Sequence, residues 1–514
     1  MEEQHRGPVF TYCIMSPSLI DVLAFTLAAG PSALASAGLV NYGNSACKQL
    51  ASSYSEQTIL PNTTTYTIES SENWSLTCLA SPLCVFEPKS AEDVAGALRV
   101  LENTNTKFAV RSGGHMPVPG AADIADGVLI TLNKLDTTEL VGSTARIGAG
   151  LKWWEVYDWL YTEGLATAGG RFGPVGVGGL LVGTGINYFG SQTGWSVNSV
   201  LNYEVVVAGG NIINANATSH PDLWLALKGG SGNFGIVTKY DMATFPLSNV
   251  WGGTLEYNMT ELDAYVHAIA GYVDPQGGSA DKLAAADCLV LMTPQTGEFE
   301  LVNVLFYQDP IESPAAFSNF TKIPAGVSTT SIRTWTDFVV EQNSSMYSDS
   351  QQRRAFYTTT LKATPDSVYL VNSTFIDAAF SELTDIPGIL TSVTYQTITR
   401  DWLFAAKASG GDSMNLDPEN GAIIVILIST NWQDAIYDQR IADFSNGIIS
   451  LINQKAEAVN LSYPFYNIND AGPGQDIFRS YSGSSFSKLK ETRLKYDPNG
   501  TFQKLVPGGF KLGL

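Results

Sequence analysis

Of the four histidines in this 514-residue chain, His5, His115, His220 and His267, only His115 closes a paired-glycine turn. It ends the stretch Phe108-Ala109-Val110-Arg111-Ser112-Gly113-Gly114-His115. Gly113 and Gly114 can take φ > 0 and bring backbone close to a flat or phosphorylated ligand, where a Cβ would clash. An imidazole then stands at the mouth of that turn. So few histidines leave little material for a metal centre or a histidine-based triad, and no metal ligand set is expected. Taken alone, Gly-Gly-His is an ordinary surface turn, so its weight depends on the glycines further along the chain.

Two more clusters supply them. The first, over 169–185, contains Val175-Gly176-Val177-Gly178-Gly179 and then Gly183-Thr184-Gly185; the second is Gly229-Gly230-Ser231-Gly232-Asn233-Phe234-Gly235-Ile236-Val237-Thr238. Each glycine costs a helix up to about 1 kcal/mol relative to alanine, so 169–185 is not an ordinary helix. Such a run suits backbone N–H groups that line a pyrophosphate, a nest that needs no cationic side chain.

These turns need a scaffold. Ser90-Ala91-Glu92-Asp93 reads as a near capping box, with Val94, Ala97, Leu98 and Leu101 at helical spacing after it, so an amphipathic helix packed on a sheet is expected. A strand over 107–111 then delivers His115 to a sheet edge. This order, helix before strand before glycines, is unlike a Rossmann unit. Further strands are expected over 128–132 and 144–150, a helix over 153–165 ending at Gly164, a hairpin around Gly209-Gly210-Asn211, and a short helix over 219–227.

Composition bounds the class. Apolar residues make up 44% of the chain, enough for a large core and two to four domain-sized units. A formal charge of −20 argues against nucleic acid or an anionic membrane as partner. Residues 19–37 are apolar and end in small residues, as a cleaved secretory signal would, and are short for a membrane span. Asn62, Asn73, Asn216, Asn258, Asn319, Asn343, Asn372, Asn460 and Asn499 each begin an Asn-x-Ser/Thr sequon, so N-glycans and a secreted or lumenal location are expected. An oxidising compartment would permit a bridge from Cys47 to Cys84 or to Cys78; spacing does not choose.

Together with Asn202-Tyr203-Glu204-Val205-Val206, Phe465-Tyr466-Asn467, Ser485-Phe486-Ser487-Lys488-Leu489 and Lys495-Tyr496-Asp497-Pro498-Asn499-Gly500-Thr501-Phe502, the three clusters closely resemble the FAD-linked oxidases of the berberine bridge enzyme type, in the vanillyl-alcohol oxidase and para-cresol methylhydroxylase (PCMH) superfamily. The resemblance runs from about Ala46 to the end. It implies an α+β architecture: a signal segment over 1–37, a PCMH-type two-subdomain FAD-binding domain over 38–250, a substrate domain over 251–458 built as an antiparallel sheet with helices on one face, and a C-terminal segment over 459–514 that returns to the FAD domain.

The resemblance also assigns residues. His115 matches the histidine bonded to the flavin 8α carbon. Phe172 stands where many relatives carry a second, cysteinyl tether, so a single link is expected. Arg111, Ser112, Gly113 and Gly114 would wrap the pyrophosphate. Gly176, Val177, Gly178, Gly179 and Gly183 would hold the flavin side, with Gly232, Asn233, Gly235 and Val237 around the adenine and ribose. Asn467 would sit beside the isoalloxazine ring, and Phe465 replaces a common tyrosine. Substrate-domain strands are expected over 288–292, 301–307, 391–397 and 422–429. In the third of these, Ser392, Thr394 and Gln396 alternate with Val393, Tyr395 and Thr397, so one polar row would face the flavin. Tyr395 and Asp401 are the candidate general bases. The implied activity is oxidation of a small organic, secondary-metabolite substrate, with base-assisted hydride transfer to flavin N5 and reoxidation by O2. The alternatives are a flavin-containing cyclase without net redox change, a carbohydrate oxidase, and a non-catalytic flavin-holding module.

Overall fold

Ser90 accepts a hydrogen bond from the Asp93 amide at 3.1 Å and starts the helix Ala91–Asn103, whose buried Val94, Ala97, Leu98 and Leu101 form the expected stripe. In the computed structural model, which describes residues 45–346 and 352–514, that helix makes a crossover beside a small sheet. Cys84–Phe86, Val128–Thr131 and Phe108–Arg111 run parallel in that spatial order, and Thr58–Ile59 adds antiparallel to the outer edge. The signal expected over 1–37 lies outside the described residues.

A second, antiparallel sheet has the order Thr138–Val141, Thr144–Gly148, Ile236–Ala243, Val200–Val207, Asn211–Asn216. Its last two strands are the expected hairpin. Between the strands the glycine-rich 169–185 region forms one helical turn, Val177–Leu180, as its composition requires.

Residues 250–432 supply a third, fully antiparallel sheet. It runs Ala325–Ser328, Val250–Tyr257, Glu298–Tyr307, Ala284–Thr293, Leu390–Ile398, Ile423–Trp432, Arg353–Lys362, with Ser331–Arg333 also paired to Val250–Tyr257. One face is covered by the helices Leu262–Val273, Pro365–Glu382 and Asp438–Ala458, and there Val393, Tyr395, Ile426 and Ile428 join Tyr265, Ile269, Phe375 and Phe444 in a core. The strand Arg353–Lys362 gave no apolar signal because its middle is Thr358-Thr359-Thr360. Pairing and packing bury these threonines, and Thr358 donates to the Ile426 carbonyl at 2.8 Å.

The C-terminal segment packs back on the first part of the chain, where Phe465, Phe478, Tyr481, Leu489, Phe502 and Phe510 enter the core around the first two sheets. Cys47 bridges Cys84, joining the helix Ser45–Ser53 to the strand Cys84–Phe86, and Cys78 is a buried free thiol.

Candidate active site

The three glycine clusters and the uncovered face of the large sheet enclose a cavity of about 510 Å³. Ser112, Gly113, Gly114 and His115 line it from the first cluster, Gly176, Gly178 and Gly179 from the second, Gly232, Gly235 and Val237 from the third, and Asn467 from the C-terminal segment. At the heart of the wall Gly113 meets Gly176, and the Ser112 hydroxyl donates to the Ala149 carbonyl at 2.7 Å while accepting from the Gly178 amide at 3.1 Å. Gly114 makes the turn itself at φ +61°.

Four expected cofactor residues stand behind that wall. Val110 and Ser112 line the cavity, so strand alternation turns Arg111 away, and its guanidinium pairs with Glu69 at 2.8 Å in a buried contact. Arg111 therefore braces the turn from behind and is not part of the cavity lining. Val177 is core; Gly183 gives room to the Asn469 side chain; Asn233 donates to the carbonyls of Gly230 and Phe510.

The fold places both candidate bases outside the cavity lining. Tyr395 lies on the helix-covered face, fully buried, while Ser392 and Thr394 on the other row face the cavity. Asp401 sits on the helix Arg400–Ala408 outside the cavity, where it pairs with Lys282 at 3.3 Å.

His115 is open to the cavity yet enclosed by protein. Its ring stacks on Trp74 at 4.1 Å between centroids and 15° between planes. Burial, reinforced by the nearby Arg354 charge, pushes its pKa down to about 3, so the imidazole is neutral.

Sequence reasoning missed the polar network on the opposite side. Arg171 pairs with Asp287 at 2.8 Å and donates to the Gln396 amide oxygen; Gln396 and Asn467 donate to Asp470 Oδ2 at 2.8 and 2.7 Å; and Thr184 donates to Asn467. Burial raises the pKa of both Asp287 and Asp470, with the Arg171 charge opposing. Arg171 and Thr184 lie within the glycine run, Asn467 and Asp470 at the Phe465-Tyr466-Asn467 motif, and Asp287 and Gln396 in strands of the large sheet, so only folding joins them. The tail was missed too: Gly508, Gly509, Phe510 and Lys511 close the cavity, and burial holds the Lys511 ammonium down at about 8.

Across the large sheet the lining residues fall in register. Leu289, Thr394 and Leu427 form one row; Glu300, Leu291, Ser392, Ser429 and Phe356 the next; Leu390, Asn431 and Arg354 a third. Among the described residues no group of three or more His, Cys, Asp or Glu could hold a metal, and no helix is long and apolar enough to cross a membrane.

Residues 82–216 match the model of an FAD binding domain. Over 485 residues, 91% of this chain and 93% of the relative, the sequence is 42% identical to the FAD-dependent monooxygenase prx3 of Penicillium roqueforti. The chain belongs to the berberine bridge enzyme-like FAD-linked oxidoreductases. The fold agrees. The 6-hydroxy-D-nicotine oxidase of Arthrobacter nicotinovorans superposes with a TM-score of 0.73 at 16% identity, over 87% of this chain and 96% of that one. Glucooligosaccharide oxidase from Acremonium strictum, described with a 6-S-cysteinyl, 8α-N1-histidyl FAD, gives 0.73 at 15% identity, over 91% and 98%.

The residues of this oxidoreductase fit FAD. A Cβ built on Gly179 or Gly232 meets nothing within 4 Å, although both line the cavity, so the protein leaves that space to a ligand. The wall on this side is glycine backbone, and the Arg111 guanidinium behind it is engaged by Glu69.

Proposed function

We propose that this FAD-linked oxidoreductase is an oxidase of a small, largely apolar organic metabolite, with its cofactor attached through His115 alone. The observation that carries the substrate class is the sheet face opposite the glycine turns, where Leu289, Leu291, Leu390, Leu427 and Phe356 stand among Ser392, Thr394 and Ser429, with Glu300, Asn431 and Arg354 also lining the face. Aliphatic rows with scattered hydroxyls bury a hydrophobic ring system and orient a few oxygens. A sugar presents hydroxyls on every edge, which four leucines leave without partners.

When bound, FAD supplies the acceptor for two electrons from the substrate and passes them to O2. The chain supplies the rest. The leucines exclude water, and Ser392, Thr394 and Ser429 orient substrate oxygens. Asp470 accepts the substrate proton in place of Tyr395 or Asp401, because burial raises its proton affinity and Asn467 and Gln396 fix its carboxyl. Phe172 at the cavity wall carries no thiol, which supports a single tether.

A secreted or lumenal location is supported by the Cys47–Cys84 bridge and by exposed sequon asparagines at Asn62, Asn258, Asn319, Asn460 and Asn499. Asn73, Asn216 and Asn372 are half-buried, which disfavours modification there.

The test is direct. Acid-precipitated wild-type protein should retain its flavin and His115→Ala protein should release it. Under anaerobic conditions apolar phenolic or polyketide-like compounds should bleach the flavin, and aerobic turnover should release one H2O2 per O2 consumed. Bleaching by oligosaccharides alone would overturn the substrate class. The name of the Penicillium relative favours a second reading, monooxygenation. Label from ¹⁸O2 appearing in the product, without H2O2, would select it.

A further inference from the structure

The tether histidine is held by residues from far away in the chain. Trp74 lies in the segment before the 3-10 turn Leu76–Cys78, and its amide donates to the Gly114 carbonyl at 3.1 Å, which clamps it to the glycine turn. From the other side comes the edge strand Arg353–Lys362 of the large sheet. There Arg354, only 3% exposed, places its guanidinium over the Trp74 indole at 4.7 Å and donates to the Trp74 carbonyl. The Arg354 amide donates to the Ser75 hydroxyl at 2.8 Å, and that hydroxyl donates back to the Arg354 carbonyl at 3.1 Å. Phe356, two residues along the same face, packs on the indole at 5.1 Å and stands 6.4 Å from the imidazole.

We propose that Trp74 and Arg354 are positioning residues for cofactor attachment: the indole holds the plane of the His115 ring, and the guanidinium pins the indole. This rests on the proposed His115 tether and adds the residues that make it work. A ring nearly parallel to its neighbour cannot turn about χ2 without losing the contact, so its nitrogens stay in one plane. A guanidinium over an indole gains from the ring quadrupole, more so when desolvated, and it opposes a second positive charge on the adjacent imidazole. The depressed pKa of His115 is consistent with that arrangement.

In the step these residues serve, a His115 ring nitrogen forms a C–N bond to the flavin 8α carbon. One C–H bond and one N–H bond are lost, their protons leaving to solvent. The two electrons reduce the flavin, and O2 reoxidises it, giving H2O2.

The experiment compares covalent with total flavin in purified Trp74→Leu, Trp74→Phe, Arg354→Gln and Arg354→Lys proteins, by absorbance before and after acid precipitation. Trp74→Leu and Arg354→Gln should still bind FAD, with the covalent fraction down about tenfold or more. Trp74→Phe and Arg354→Lys, which keep a ring and a charge, should recover most of it. A purely structural defect would instead lower total flavin and leave the covalent fraction of what remains unchanged, which overturns the proposal. Full attachment in both Trp74→Leu and Arg354→Gln also overturns it. If one of the two fails to fold, the other decides. A wild-type protein without covalent flavin overturns the tether itself, a separate outcome visible before any variant is made.

Discussion

Gly113 and Gly176 touch through their backbones: a Cβ built on Gly113 would lie 2.4 Å from the Gly176 nitrogen, and one built on Gly176 would lie 2.3 Å from the Gly113 nitrogen. Two turns some sixty residues apart are thus welded at the cavity wall. Gly113→Ala must push them apart, so it should cost about 1–3 kcal/mol and lower flavin content together. Gly179→Ala has room on the protein side and should leave the urea midpoint nearly unchanged while it lowers flavin content alone. Flavin absorbance per protein and urea unfolding of both variants separate the two effects. Wild-type flavin loading in Gly179→Ala would mean that the space beside it is not a cofactor cradle.

The Arg171–Asp287 pair crosses from the second glycine cluster to the large sheet, and both side chains are nearly buried. Asp287→Ala leaves a guanidinium without its partner and should destabilise by about 3–5 kcal/mol, measured by denaturant unfolding. Replacing both residues with apolar ones of similar volume should recover most of the loss. A cost below about 1 kcal/mol for the single variant would show that water or another group takes over the charge.

The Cys47–Cys84 bridge spans a separation of 37 residues. Chain entropy for a loop of that size gives about 4 kcal/mol, so Cys84→Ser should lower stability by that order, whereas Cys78→Ser should cost much less. Non-reducing peptide mapping should find Cys78 as a thiol. A mapped Cys47–Cys78 bridge would contradict the fold here.

Lys228 is fully buried, with its ammonium nitrogen 3.4 Å from the centre of the Trp224 ring, and burial pushes its pKa down to about 7 against the pull of Asp412. Between about pH 7 and the ordinary lysine value near 10.5, the unfolded chain binds a proton that the folded chain lacks, so this group makes stability rise with pH across that window. Below pH 7 both states are protonated and the whole cost of burying the charge is present. Lys228→Met should flatten the slope of unfolding free energy between pH 7 and about 9.5. Equal slopes in the two proteins would refute the assignment.

Tyr395 is fully buried on the helix side of the large sheet, and its hydroxyl has no hydrogen-bond partner among the described residues. Tyr395→Phe should therefore change stability by less than about 1 kcal/mol and leave substrate reduction of the flavin unaltered. Asp401→Asn should behave alike, and Asp470→Asn should slow reduction strongly. Stopped-flow traces in the visible absorption band of oxidised flavin would rank the three; a slow Tyr395→Phe would restore the tyrosine as base.

Glycine spacing and the apolar stripes were enough to announce the cavity. Glycine clusters are local signals, because each records a backbone demand that no other residue meets, and the helix behind Ser90 declares itself by capping and period. The family likeness and the unusual position of His115 were legible for the same reason. Which way a strand faces was not. In Leu390–Ile398 both rows mix polar and apolar residues, and in Phe108–Arg111 it is Val110, from the wholly apolar row, that meets the cavity, so composition alone cannot say which row faces a ligand, and parity places Arg111 and Tyr395 away from the cavity. Nor did sequence join Trp74 to Arg354, whose hydrogen bond links positions 280 apart, or choose Cys84 over Cys78. Those contacts exist only once the large sheet closes over the glycine turns, since nothing short-range holds either partner there.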